Sequence, residues 1–414
     1  MPFDHAPAGD EFVPPIATAN AVRPAVGYVL SAFPVLSETF VSNEIREMRR
    51  LGHRIVPIAL SPAGGRWQPD DDALARETLR LPDLSAAAAL RLAGSPGGLA
   101  RAWAFCRRQT GIRPRSLFWA GLRVAAAARR AGCRHLHAHF AHSAAATAIV
   151  AARALGVPVT FTAHGYDVYG SPCDLSLKLA SASAAVAVCN DMVEDFLRLA
   201  PSARVAMVPC GVDPLRFLPG AGPDNGRLLA VGRLVEQKGF DILIQALALV
   251  PSGHRPGIDI VGDGPLEPAL RTAMDRLGIA ASLRLLGSRP AAWIASHAPA
   301  YRGFVAPFRL TAEGDRDTGP VVVKEAMAMG LPILASRLMG LKEIVAPDCG
   351  RQVTPADATE LADGLRWLGG IDGETRARLG SAGRRRVIET FTLRHQAAGL
   401  SSLIADLSGA RAAG

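Results

Sequence analysis

Acidic residues are missing from a long part of this chain. Between Leu84 and Tyr166 there is no Asp or Glu, yet eleven arginines fall there (91, 101, 107, 108, 113, 115, 123, 129, 130, 134 and 153). Lysine is scarce throughout, at 178, 238, 324 and 342 only, so the net charge of +9 is nearly all arginine. Trp103, Phe105, Phe118 and Trp119 are interleaved with the basic residues, a pattern that suits an anionic bilayer or phosphate groups as well as a solvated helical face. No recognised nucleic-acid module accompanies the charge, which argues against nucleic acid as a partner. The six cysteines (106, 133, 173, 189, 210, 349) form no C-x-x-C pair and no zinc spacing, so reduced thiols in a cytoplasmic protein are expected. Residues 1–22 lack the basic start and apolar core of a signal peptide and are expected to be a disordered tail. No apolar run reaches the ~18 residues of a membrane-spanning helix; Ser143–Ala152 is stopped by Arg153.

What is present points to an α/β protein. The 414 residues are 49% apolar and 20% charged, enough for two domains with their own cores. Short Val/Ile/Leu runs at 25–30, 54–60, 135–139, 159–163, 184–188 and 205–208 read as strands, with helical spacing over 39–50 and 143–155. The segment from about 61 to 133 is poorly periodic. Residues 209–226, rich in Pro and Gly, read as a linker. The βα rhythm then returns, with strands at 227–231, 257–261, 283–286, 303–306 and 332–335. Helices are expected at 239–250, 265–277, 319–329, 357–368, 373–390 and 393–405. The expected architecture is two Rossmann-like doubly wound domains, 23–208 and 227–390, facing a central cleft. A last helix within 391–414 is expected to pack back on the first domain.

Several loops at the expected carboxyl ends of strands carry chemistry. In VGRLVEQKGFDIL, Gly232 opens a loop, and Arg233 and Lys238 flank a helix start near Gly239. A guanidinium fork, an ammonium and free backbone N–H groups suit a diphosphate. In DTGPVVVKEAMAMG, Asp317 precedes a helix expected to start at Gly319 and Pro320, and Glu325 lies within it. Two carboxylates so placed suit vicinal sugar hydroxyls and a ribose, and the N–H groups of 319–321, with Thr318, Gly319, Pro320 and Val321, are candidates for the phosphates. IVGDGPLE has Glu267 where a dinucleotide loop needs its third glycine, so it reads as a tight turn, with Gly262 retained as a donor-site candidate. His164 in FTAHGYDVY follows a strand at the cleft edge. Ser37, Glu38 and Thr39 sit at a helix start in the first βα loop and are candidates for acceptor binding. HLHAHF sets His135, His137 and His139 on one strand face; with no carboxylate nearby in sequence, a metal site is not expected. Asp70, Asp71 and Asp72 read as an acidic helix start.

Taken together, GRLVEQKG, the spaced acids before EAMAMGLPILAS, GLKEIV and GVDPLRF resemble the retaining glycosyltransferases of family 4, which have the GT-B fold. FPVLSETFVSNEI, HAHFAHSAA, FTAHGYDVY and GDRDTGPVVVKEAMAMGLP are similar to the subgroup that assembles exopolysaccharides such as colanic acid and amylovoran. The resemblance covers the chain from about residue 25. It implies that Arg233 and Lys238 meet the diphosphate of a UDP- or GDP-sugar, Glu325 the ribose, and Asp317 the transferred sugar, with His164 beside the reacting centre. It further implies retention of configuration, no metal or other cofactor, and a lipid-linked or soluble glycan acceptor. An enzyme at the cytoplasmic face of the plasma membrane, touching it peripherally, would fit. Many relatives carry Glu where Asp317 stands and Gly where Thr318 stands. An epimerase, a sugar phosphorylase or a non-catalytic donor-binding module remains open on the residues alone.

Overall fold

The computed structural model describes residues 25–412 apart from 37, 63, 64, 66, 84–88, 90–94, 221 and 223. The expected tail, Ser37 and Arg91 therefore lie outside the described residues. Two all-parallel sheets make up the molecule. The first contains β1 (Ala25–Ala32), β2 (Ile55–Ser61), β3 (Leu79–Arg80), β4 (Cys133–His139), β5 (Val159–Thr162), β6 (Ala184–Ala187) and β7 (Val205–Met207), in the order β3-β2-β1-β4-β5-β6-β7. The second contains β8 (Arg227–Val231), β9 (Gly257–Val261), β10 (Leu283–Leu285), β11 (Gly303–Ala306), β12 (Ile333–Ser336) and β13 (Gly350–Val353), in the order β10-β9-β8-β11-β12-β13. Helices cover both faces of such sheets, so the inner strands must be apolar throughout. All four residues of β5, β6, β11 and β12 are buried.

The strand order reverses between β1 and β4 in the first sheet and between β8 and β11 in the second. At such a switch point the loops leave in opposite directions and open a crevice beyond the carboxyl ends of the strands. The candidate loops 33–39, 232–239 and 307–320 all belong to strands flanking these two points.

The segment without clear periodicity contains two long helices, Pro96–Arg108 and Pro114–Arg130. Their packing faces mix Phe105, Leu117, Leu122 and Val124 with many small residues, Gly98, Ala102, Gly121 and Ala125 to Ala128 among them, and pack against the alanine-rich helix Ser143–Leu155. A stripe of alanine and glycine buries well but contrasts weakly with its surroundings in sequence, so helical spacing was hidden. Arg101, Arg107, Arg108, Arg115, Arg129 and Arg130 are exposed.

The chain passes between the domains twice, side by side. Val212 N–H donates to Phe391 O at 2.8 Å and Leu393 N–H to Val212 O at 3.0 Å. The final helix, Leu393–Ala412, longer than expected, lies on the first domain. Its Ala397, Leu400, Leu403 and Ile404 share a core with Val26, Tyr28, Val41, Ile45 and Met48.

Candidate active site

On the second domain, β8 ends at Val231 and the chain turns through Gly232 to the helix Phe240–Leu249. Gly239 enters that helix at φ 66°, and a side chain there would collide with the Pro307 carbonyl. Glycine is required by both the backbone sign and the space. The turn brings Lys238 back over Gly232, where its Nζ lies 2.5 Å from Asp317 Oδ2 and 4.1 Å from the centre of the Phe308 ring. Arg233 is exposed, with no hydrogen bond from its guanidinium among the described residues. Its charge is felt at Asp315, where burial pushes the carboxyl up, Asp317 adds to the rise, and Arg233 and Arg316 oppose it. The structure thus brings Arg233, Lys238 and Asp317 to one place.

The helix after Asp317 starts at Val321, not at Gly319. The expectation that N–H groups over 319–321 face a ligand needs correcting, because Pro320 has no N–H to offer. The donors available at this helix start are those of Val321, Val322 and Val323, which have no partner inside the helix. Thr318 is buried, and its carbonyl accepts from Gly340 N–H at 3.0 Å. Gly319 faces Val188 of the first domain.

Glu325 sits in the second turn of this helix. Its carboxylate has no hydrogen bond among the described residues, and burial, opposed by Arg216, pushes its pKa up to about 7. Gly262, at φ 148°, packs so closely on Gly232 that a side chain would strike the Gly232 carbonyl. It serves the tight turn and holds the Gly232 loop in place.

The first domain supplies the opposite wall. The helix Thr39–Arg50 begins after Glu38, whose carboxyl is raised by burial, with His139 opposing. Phe40 and Phe140 rings lie 4.7 and 4.6 Å from the His164 ring, so Glu38, Thr39 and His164 border one region. His164 N–H donates to Asp167 Oδ1 at 2.9 Å. Gly165 abuts the Arg316 carbonyl across the cleft, and the Arg316 guanidinium lies 4.0 Å from the Tyr169 ring centre. The backbone next to His164 therefore lies against the segment carrying Asp317. Two further contacts join the domains: Lys342 to Asp191 at 2.7 Å, and Asn190 N–H to Glu343 Oε1 at 2.7 Å.

The histidines of β4 have a neighbour that is distant in sequence. A carboxylate does stand beside the histidines of β4: Glu44, from the helix Thr39–Arg50, lies 3.1 Å from His139 Nε2 and 3.8 Å from His137 Nε2. Ligand atoms of Glu44, His137 and His139 fall within 4.8 Å of one another, the only such grouping among the described residues. Each is already engaged. Glu44 accepts from Tyr28, Gln396 and His139, while His137 pairs with Thr160 and Thr162. A metal ion would have to displace these bonds, so the donor set does not fit a resident metal. Glu44 was legible in sequence: it shares the apolar helical face of Val41, Ile45 and Met48, where an acid demands a partner.

Two family models match the chain, one described as Glycosyltransferase Family 4 over residues 37–216 and one as Glycosyl transferases group 1 over residues 225–369. The chain belongs to the family 4 glycosyltransferases. This family member is 30% identical to the amylovoran biosynthesis glycosyltransferase AmsK of Erwinia amylovora, over 39% of this chain and 41% of that protein. It is 31% identical to a GDP-mannose-dependent α-(1-6)-phosphatidylinositol monomannoside mannosyltransferase of Mycolicibacterium smegmatis, over 51% and 59%. The matches to these relatives thus span about half of their length. In fold, the chain resembles sucrose-phosphate synthase of Thermosynechococcus elongatus, with TM-score 0.70, 19% identity, and 94% and 100% of the two chains covered. It likewise resembles Anabaena HepE in complex with UDP, with TM-score 0.69, 17% identity, and 93% and 100% covered. The expected GT-B architecture is therefore present.

Proposed function

We propose that the protein is a retaining glycosyltransferase that moves a hexose from a UDP- or GDP-sugar to a lipid-linked or soluble glycan acceptor, in the assembly of a cell-surface polysaccharide. The observation that carries this reading is the Lys238–Asp317 contact, set beside exposed Arg233, the free N–H groups from Val321 onward and an unpartnered Glu325. These are two cations and a positive helix end for a diphosphate, with carboxylates for sugar and ribose hydroxyls. In the reaction, the bond from the sugar's anomeric carbon to the diphosphate breaks. Arg233, Lys238 and the helix start meet the negative charge that grows on the departing oxygen. The acceptor oxygen bonds to the same face, and its proton passes to the leaving phosphate. No metal ion is needed in this scheme, because protein cations meet the charge. His164 and Glu38 with Thr39 would border the sugar and acceptor on the other wall.

AmsK is named for amylovoran biosynthesis, and the mycobacterial relative for a phosphatidylinositol mannoside, which supports a polysaccharide or lipid-linked acceptor. The latter is GDP-dependent while HepE binds UDP, so both bases belong in the test. No described helix is long and apolar enough to cross a membrane. Trp103 and Trp119 are 37% and 41% exposed among the arginines of the acid-free stretch, which suits peripheral contact with an anionic bilayer at the cytoplasmic face.

The test is a thermal-shift panel of UDP- and GDP-sugars, then turnover of the best donor with radiolabelled transfer to lipid extracts. Transfer is expected; consumption only with inorganic phosphate, or conversion of donor alone, would make it a phosphorylase or an epimerase. An Arg233→Ala protein turning over at the parental rate would refute the site.

A further inference from the structure

A buried line of polar groups runs from one wall of the cleft to the other, behind it, and the reaction as described leaves it unused. It starts at the peptide joining Cys210 to Gly211, where the chain passes between the domains. The carbonyl of that peptide accepts from Lys324 Nζ at 2.5 Å, and its N–H donates to Gln396 Oε1 at 2.6 Å. Lys324 is fully buried and adjoins Glu325 on the donor-side helix. Gln396 Nε2 donates to Glu44 Oε2 at 2.6 Å. Glu44 Oε1 accepts from the Tyr28 hydroxyl at 2.9 Å and lies 3.1 Å from His139 Nε2. Finally, His139 Nδ1 lies 3.3 Å from His164 Nε2, with the two ring planes 18° apart.

The direction of the protons follows from the carboxylate. Burial alone would raise Glu44, but His139, His137 and Tyr28 outweigh it and hold it at about 2. An ionised carboxylate only accepts, so His139 must present Nε2–H to it. With His139 as a neutral ring, its other nitrogen is a lone pair and the neighbouring His164 Nε2 carries the single proton of that contact. Burial pushes His164 down to about 3, which keeps this imidazole neutral with a single proton to place.

We infer that Glu44 is a positioning residue: through His139 it holds His164 as the Nε2–H tautomer, leaving Nδ1 as the lone-pair nitrogen. Gln396 ties this carboxylate to the peptide that also anchors the donor-side helix. The kinetic consequence rests on the transferase reading; the tautomer does not.

The full chain labelled with [15N]histidine provides the first test. Long-range 1H–15N spectra report which ring nitrogen bears the proton, and the His164 signals are assigned by their loss in His164→Gln. The parent is expected to show the proton on Nε2 of His164, and Glu44→Gln to show a mixture of tautomers. A His164 proton on Nδ1 in the parent overturns the inference.

The second test is kinetic. Glu44→Gln is expected to lower kcat about 10- to 100-fold, as when the group orienting an imidazole is lost. Donor KM should change by less than about threefold, because the nucleotide contacts lie on the other domain. Combined with His164→Gln, Glu44→Gln should add nothing further, whereas losses that multiply would show that Glu44 acts elsewhere. Should Glu44→Gln fail to fold, His139→Gln replaces it in the same cycle, with the same expected result. If no UDP- or GDP-sugar is turned over, the transferase reading fails while the spectra still decide the position of the proton.

Discussion

The two walls of the cleft treat charge in opposite ways. On the first domain the acid is fully engaged: Glu44 is 2% exposed and accepts from three donors, and the histidines around it are hydrogen-bonded in turn. On the second domain the charges are left partly unsatisfied. Lys238 and Asp317 keep side-chain exposures of 14% and 22%, Arg233 is free in solvent, and Glu325 has no hydrogen-bond partner among the described residues. Burying a charged ligand is favourable only where the protein has unspent partners for it. The contrast fits the proposed division, in which the second wall binds and the first orients.

Substitutions can break that comparison in a graded way. The largest effect is expected on the second wall: Lys238→Ala and Arg233→Ala should each lower turnover of the best donor by about 10²-fold or more, as for a lost oxyanion donor. Steady-state release of UDP or GDP measures it, and a loss of only a few-fold in both would move the cradle elsewhere.

A smaller, pH-dependent effect belongs to Glu325. Its pKa of about 7 means that below that value the carboxyl is mostly protonated, and one of its oxygens then donates instead of accepting from a sugar or ribose hydroxyl. Donor KM of the parent should therefore rise about tenfold between pH 7.5 and pH 6, from single-site titration arithmetic, while Glu325→Gln is flat. The two acids should also pull stability in opposite directions. Glu44 falls from 4.5 to about 2 on folding, so its stabilisation is present above 4.5 and lost as the pH drops toward 2. Glu325 rises from 4.5 to about 7, so it opposes folding above 7, and that penalty lifts as the pH falls toward 4.5. Urea midpoints of the parent and the Glu325→Gln protein at pH 8 should differ in favour of the variant. Equal midpoints would mean that Glu325 finds a partner in solution.

The smallest effect is expected at the half-exposed bridge between the domains. Lys342→Ala removes the Asp191 pair and should cost less than about 1 kcal/mol, visible as a shift of a few degrees or less in Tm.

Much of this contrast could be read from the chain itself, and the exceptions are physical. The second domain was readable because its strands are short apolar runs and its site is made of local motifs: Gly232 to Gly239, and Asp317 to Glu325. The scarcity of lysine was a stronger signal than it first looked. Lys178 and Lys324 are fully buried, Lys238 is in the cleft, and Lys342 bridges the domains, so lysine appears only where a single point charge is used. The helices Pro96–Arg108 and Pro114–Arg130 are hard to see in sequence because alanine and glycine make up much of their packing face and dilute the spacing of Phe105, Leu117, Leu122 and Val124. The Glu44 cluster was missed because its members are distant in sequence. His139 meets Glu44 from 95 residues away and Gln396 from 352, and no local pattern joins them.

The account depends on a diphosphate being held between Arg233, Lys238 and the helix start at Val321. Calorimetric titration of UDP and GDP into the parent, Arg233→Ala and Lys238→Ala proteins tests this most directly. One of the two nucleotides should bind the parent, and each substitution should weaken it about tenfold or more, the scale of a lost charged hydrogen bond. Equal affinity in all three proteins would contradict the account.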